Sequence, residues 1–317
     1  MTAHISGSRY LPILACAFGI MTFGAMDVAM KALAIGLSTY NALFWRCCAG
    51  FIMSAALYFG SGYLGLARIS WPSRPALKLH LVRGSVTAVM AFTFFFGLAR
   101  TPMAEAIGIS FIAPLIALYL AYIMLGERIG RAAITASLLG LAGVMLIIMG
   151  KAGEDAFTAD AKLGIASILL SACLYAWNLI LQRQQAQIAS PSEIALFQNA
   201  IVVLWCLPFF PFVGIGFSDL LMPSALWGWS WLALAILGGF LAILSVLALS
   251  WAYARAEAQA LVPIEYSMFI WAALFGWLVF AEPVGIATIG GTILIVGGCL
   301  IAARGSVSEA KITPVTE

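Results

Sequence analysis

Residues 100–150, RTPMAEAIGISFIAPLIALYLAYIMLGERIGRAAITASLLGLAGVMLIIMG, align without a gap on residues 255–305, RAEAQALVPIEYSMFIWAALFGWLVFAEPVGIATIGGTILIVGGCLIAARG. The offset of 155 residues pairs Glu127 with Glu282 and Gly143 with Gly298. Each copy reads as an apolar span, a short acidic turn and a second apolar span. A further match sets Ala42-Leu43-Phe44 on Ala195-Leu196-Phe197 at an offset of 153, again opening a span. Two matches in the same order point to a duplicated unit.

Outward from this repeat, the 317 residues are 63% hydrophobic and 9% charged, where a soluble domain carries about 25% charged residues. A soluble globular protein is excluded. Sixteen basic and 13 acidic residues leave a net charge of +3 without a basic cluster, so nucleic acid is not an expected partner. A helix needs about 20 apolar residues to cross the hydrocarbon. Ten runs qualify, at 11–33, 41–59, 81–99, 104–125, 131–149, 163–182, 194–213, 227–249, 257–280 and 286–303. They are continuously apolar rather than alternating, which predicts helices and not a β-barrel. The run from Leu11 to Leu33 shows no leader-like cleavage pattern and reads as the first helix.

The expected fold is therefore an all-α polytopic membrane protein of ten transmembrane helices. Residues 1–150 form the first five-helix repeat, 151–160 an external linker, 161–305 the second repeat and 306–317 a cytoplasmic tail. Because five is odd, equivalent helices cross in opposite directions, an inverted repeat that sites a ligand near mid-membrane. Eleven basic residues, Arg9, Arg68, Arg74, Lys78, Arg83, Arg128, Arg131, Arg183, Arg255, Arg304 and Lys311, fall on one side. Lys31, Arg100, Lys151 and Lys162 fall on the other, and Arg46 within the second span. The positive-inside bias puts both termini in the cytoplasm. The six cysteines lie in apolar runs outside any CxxC or Cys/His pattern and read as small packing side chains.

With the repeat in view, the chain resembles the drug/metabolite transporter superfamily, and within it the ten-helix EamA-type carriers. The resemblance is carried by Phe44-Trp45-Arg46, Ile112-Ala113-Pro114-Leu115, Leu125-Gly126-Glu127-Arg128, the Gly140 to Gly143 stretch and Ala281-Glu282-Pro283. The second copy departs from it, with Phe269 where the first has Pro114, and Pro263 earlier in its helix. The resemblance implies export of small organic solutes, often amino acids or related metabolites, across a bacterial cytoplasmic (inner) membrane, without a cofactor and without an obligate protein partner.

Ionisable groups inside a span are costly and mark candidate sites. Glu265 lies about 12 Å into the ninth span, beyond Pro263, and is expected either to meet a substrate or proton or to hold a structural hydrogen bond. Asp27 stands one turn before Lys31, so the two form a possible i, i+4 pair, with Lys31 alternatively snorkelling. Arg46 is balanced between substrate recognition and a structural ion pair. Glu105 is expected at the outer mouth. Asn178, Gln198 and Asn199 read first as helix glue. Phe94, Phe95 and Phe96 are candidates for a pocket wall, while Pro114 and Pro263 are candidate helix breaks at different depths. Ser110 occupies the position matching Glu265.

His4 and His80 are the only histidines and stand at or beyond span ends, so no catalytic triad or HExxH metal site assembles. A phosphate-binding GxxxxGK[ST] loop is also lacking, which excludes ATP-driven pumping by this chain. A secondary carrier remains, proton-coupled or exchange-driven, working in the lipid bilayer on a small-molecule solute. The alternatives are an inward carrier of a vitamin or nucleoside-like solute such as riboflavin or S-adenosylmethionine, and a membrane-embedded enzyme or receptor. The orientation has a direct check. A cysteine replacing Glu154 should react with an impermeant reagent in intact cells, and reaction only after permeabilisation would overturn both the orientation and the inverted repeat.

Overall fold

The computed structural model describes residues 11–63, 71–125, 131–151, 158–186, 188–224, 228–253, 255, 261 and 264–310. They form helices and turns, with an isolated antiparallel bridge between Pro223 and Ser230. In chain order the helices are α1 (Leu11–Leu37), α2 (Thr39–Tyr63), α3 (Arg74–Leu98), α4 (Met103–Ser110), α5 (Ala113–Leu125), α6 (Arg131–Lys151), α7 (Ala159–Ala186) and α8 (Pro191–Cys206). There follow α9 (Phe210–Val213), α10 (Phe217–Leu220), α11 (Trp231–Tyr253), α12 (Met268–Phe280) and α13 (Ile286–Ala310).

Local sequence explains where several helices begin. Ser73 and Ser190 have extended backbone and accept from the N–H groups of Ala76 and Glu193, with Pro75 and Pro191 in the first turns. A side-chain oxygen satisfies a helix-end donor, and proline loses nothing there because its missing N–H has no partner to bond. Between α1 and α2 the chain turns at Ser38, which takes a φ of 96°. The Asn41 amide closes that turn by donating to Leu37 O at 3.1 Å and to Val213 O at 3.0 Å.

Among the described residues, six helices are long and apolar enough to cross a membrane: α1, α2, α3, α7, α8 with its continuation to Val213, and α11. Met103–Ala117, Leu138–Gly150, Met268–Phe280 and Ile286–Gly298 are apolar but shorter. The expected fourth span is broken at Phe111 and Ile112, between α4 and α5. Pro114 accounts for the break, because it has no N–H and its ring crowds the carbonyl four residues back, that of Ser110. The expected ninth span turns at Tyr266 and Ser267 before α12 starts. The two breaks are 155 residues apart, in the same register of the repeat. Pro263 itself lies outside the described residues, as do Glu127 and the Glu154–Asp155 part of the linker.

The helices pair in a regular way. α1 packs against α11 and α3 against α7; α2 meets both α8 and α11, α3 meets α8, α4 meets α12, and α6 packs against α13. The α6–α13 contact is backbone on backbone. A Cβ added at Gly143 would stand 2.4 Å from Gly291 O, and one at Gly291 would stand 2.5 Å from Gly143 O. Small residues let helices approach this closely, and van der Waals packing then replaces a hydrophobic drive that lipid cannot supply. Gly143→Leu should therefore cost on the order of 1–3 kcal/mol, as overpacking does elsewhere. A lowered melting temperature of the purified protein would register it, and an unchanged one would mean that α6 and α13 do not touch here.

Candidate functional site

The two helix breaks meet. The Phe111 and Tyr266 rings pack edge to face with centroids 5.2 Å apart. Ser110 and Glu265 directly precede these residues, and all four are half-buried. Ser110 Oγ donates to Ala106 O at 2.7 Å, keeping its hydroxyl on α4. The Glu265 carboxylate acts electrostatically on Cys16 of α1 and on Tyr175 of α7. Tyr175 in turn feels the Arg83 guanidinium of α3. A carboxylate, a hydroxyl and aromatic rings from both halves of the chain thus converge on interrupted helix, where freed backbone groups favour a cavity over lipid.

Asp27 and Lys31 do not pair. Lys31 Nζ bonds Glu282 Oε1 and donates to Thr101 O at 2.6 Å, while Met103 N donates to Glu282 Oε2 at 2.8 Å. Lys31 is buried, so it does not snorkel; its ammonium also stands 5.2 Å from the Phe280 ring centre. A carboxylate 251 residues away wins over the neighbour on the same helix because it can also cap the first turn of α4. Gly276 makes room for it, since a Cβ there would sit 3.0 Å from Glu282 Oε2. This ion pair ties α1, the α3–α4 turn, α4 and the end of α12 into one corner.

Asp27 is fully buried, and neither carboxylate oxygen has a hydrogen-bond partner among the described residues. Arg46 on α2 is the cation acting on it, and Arg46 Nε likewise lacks a partner there. Glu105 is buried in the first turn of α4 rather than exposed at a mouth. The three phenylalanines do not share one wall, because successive helix residues point about 100° apart. Phe95 enters the core, Phe94 packs on Phe95, and Phe96 stacks with Phe92 beneath the Arg100 guanidinium, 3.5 Å from its ring centre. Asn199 donates to Ala195 O at 2.9 Å and abuts Gly50, which suits helix glue between α8 and α2. Gln198 is half-buried.

The sequence reading missed a buried polar chain joining α3, α7 and α8. Arg83 Nε and Thr87 Oγ1 donate to Asn178 Oδ1 at 3.1 and 3.3 Å, and Arg83 also bonds Gln185 Oε1. Gln185 Nε2 meets His80 Nδ1 at 2.6 Å, His80 Nε2 meets Glu193 Oε1 at 2.9 Å, and the His80 ring stacks on Phe197. The sequence reading puts Arg83 in a cytoplasmic connection and His80 at a span end. Both are buried within α3, which starts at Arg74. The signal was present: His80, Arg83 and Thr87 recur on one helical face, as Asn178 and Gln185 do on α7.

A helical chain with six long apolar helices that enclose polar groups is an integral membrane protein. The EamA-like transporter family model matches residues 11–149 and again 162–304, and the chain belongs to that family. It is 26% identical to the pseudopaline exporter of Pseudomonas aeruginosa (strain UCBPP-PA14), over 92% of this chain and 95% of the relative. It is 25% identical to the riboflavin transporter of Rhizobium johnstonii, over 92% and 89%. A crystal structure 19% identical in sequence shares the fold, with a TM-score of 0.59 over 96% of this chain and 100% of its own.

Removing one partner of a buried ion pair strands the other charge at a cost of about 3–5 kcal/mol, and apolar replacement of both avoids that penalty. Glu282→Ala should accordingly lower the melting temperature sharply, and Lys31→Met combined with Glu282→Leu should recover part of the loss. A double variant no more stable than Glu282→Ala would remove the stranded-charge explanation.

Proposed function

We propose that this protein is a secondary carrier exporting amino acids or related small metabolites across a bacterial inner membrane, by alternating access of two inverted five-helix repeats with both termini cytoplasmic. The observation that carries the reading is the meeting of the two helix breaks, 155 residues apart in sequence, at Phe111 and Tyr266. Helix contacts support the repeat. With residues 1–150 and 161–305 as its copies, the α1–α11 contact has the α3–α7 contact as its counterpart, and α2–α11 has α3–α8. The contacts α2–α8 and α6–α13 each join a helix to its own counterpart, and α4–α12 joins the fourth span to the ninth, as expected about a central two-fold axis. Repeats related this way commonly flank a mid-membrane site. The twofold match of the family model and the exporter relative support the same reading.

In the site, Glu265 receives the cationic group of a zwitterionic or amine-bearing solute, with Ser110 opposite and the Phe111 and Tyr266 rings against its apolar part. Asn178 serves the α3–α7 polar chain, and Arg46, Asp27 and Glu105 stand outside the solute's first contacts. A second reading, inward transport of a vitamin-like compound, is favoured by the riboflavin transporter relatives.

Labelled amino acids and riboflavin offered to membrane vesicles of both orientations test the direction. Accumulation of an amino acid in inside-out vesicles is expected; riboflavin uptake confined to right-side-out vesicles would favour the second reading. Ser110→Trp should abolish transport without reducing the amount of folded protein, by filling the space in front of Glu265. Full transport by an inserted Ser110→Trp protein would take the pathway away from α4 and the ninth span.

A further inference from the structure

Among the candidate carboxylates, Asp27 is the one with both oxygens buried and without a hydrogen-bond partner among the described residues. It is 0% exposed, so even a water molecule cannot touch it, and no described donor reaches either oxygen. A solute has no room there. A metal cation would need several oxygen ligands, and among the described residues Asp27 has no polar neighbour within hydrogen-bonding distance. A bare carboxylate in such a place costs several kcal/mol, and groups so placed take up a proton instead.

The helices packed against α1 are α11, α2, α12 and α3. α11 contains no charged residue, and neither does α12 between Met268 and Phe280. Lys31, on the same helix as Asp27, is committed to Glu282 beyond α12. On α3, Arg83 is committed to Asn178 and Gln185 and His80 to Gln185 and Glu193, while Arg74 and Lys78 lie in its first two turns. On α2 the remaining cation is Arg46, beside the Cys47 thiol, and Arg46 acts on Asp27 without forming an ion pair with it. α11 touches both neighbours through glycine. A Cβ at Gly238 would stand 3.3 Å from Arg46 Cγ and 3.8 Å from Ala29 Cβ, and one at Gly239 would stand 3.0 Å from Gly50 N. A small movement of α11 against α1 and α2 would therefore change how Asp27 and Arg46 face each other.

We propose that Asp27 is the binding site of the coupling proton. The inference rests on the reading of the chain as an alternating-access secondary carrier. In the conformation described here the Asp27 carboxyl is neutral and sealed. When the helices rearrange and open it to one side, its O–H bond breaks, the proton passes to water on that side, and the carboxylate left behind is held by Arg46. Reprotonation from the other side releases Arg46 and reseals the site. Glu265 meets the solute, and Asp27 carries the proton.

Infrared spectroscopy of the purified protein in lipid at neutral pH tests this without any solute. The wild type should show the carbonyl band of a protonated carboxylic acid in a dry site. Asp27→Asn, which keeps the side-chain shape, should lose that band, whereas Glu265→Gln and Glu105→Gln should keep it. An unchanged band in Asp27→Asn, or no band in the wild type, would overturn the proposal. Should Asp27→Asn fail to insert, dicyclohexylcarbodiimide, which modifies protonated carboxyls in apolar surroundings, should label the wild-type peptide containing Asp27; labelling confined to other carboxyls would overturn it equally.

In vesicles with an imposed pH gradient, using labelled amino acids and riboflavin as probes, Asp27→Asn should lose gradient-driven accumulation and retain exchange. Arg46→Gln should lose the same flux while its infrared band persists. Gradient-driven accumulation surviving in Asp27→Asn would overturn the coupling role. Wild-type vesicles that move neither probe would count against the proposed solutes, with the infrared result still deciding the proton site.

Discussion

Hydrocarbon offers a polypeptide no hydrogen-bond partners, so every polar group that enters it must be answered from within the protein. The helices answer the backbone. The two interruptions of helix at mid-span, at Phe111–Ile112 and Tyr266–Ser267, face each other inside the bundle, where their freed groups meet protein rather than lipid. Side chains obey the same rule. Lys31 finds Glu282 and the Thr101 carbonyl, and Arg83 finds Asn178 and Gln185.

These two polar clusters stand towards opposite ends of α3, since Thr101 lies just beyond its last residue and Arg83 within its first half. One joins α1 to α4 and the end of α12; the other joins α3 to α7 and α8. The broken helices with Glu265 and Ser110 belong to neither cluster, and the Phe111 and Tyr266 rings pack together there.

Close glycine contacts set the distances between helices. Gly143 against Gly291 locks α6 to α13 at the backbone, whereas Gly238 and Gly239 let α11 lie across α1 and α2 beside Arg46. The approach is closer at the first seam, where an added Cβ would come within 2.5 Å of a carbonyl oxygen, than at the second, where the nearest atom would stand 3.0 Å away.

Hydropathy is a local and additive property, so the amino-acid sequence by itself determined an all-helical membrane protein, the apolar runs, the duplicated segment and the break ahead of Pro114. It also marked Glu265 and Ser110, because an ionisable residue in an apolar run and its repeat counterpart are visible without coordinates. Partner choice was not legible. Spacing offered Lys31 to Asp27 four residues away, and only the tertiary structure gave it to Glu282, through the added bonds to Thr101 and Met103. His80 and Arg83 looked like residues of a helix end until α7 and α8 buried them. Charges in a low-dielectric interior act strongly over short distances and select partners by geometry, and the folded chain alone decides which residues are near enough.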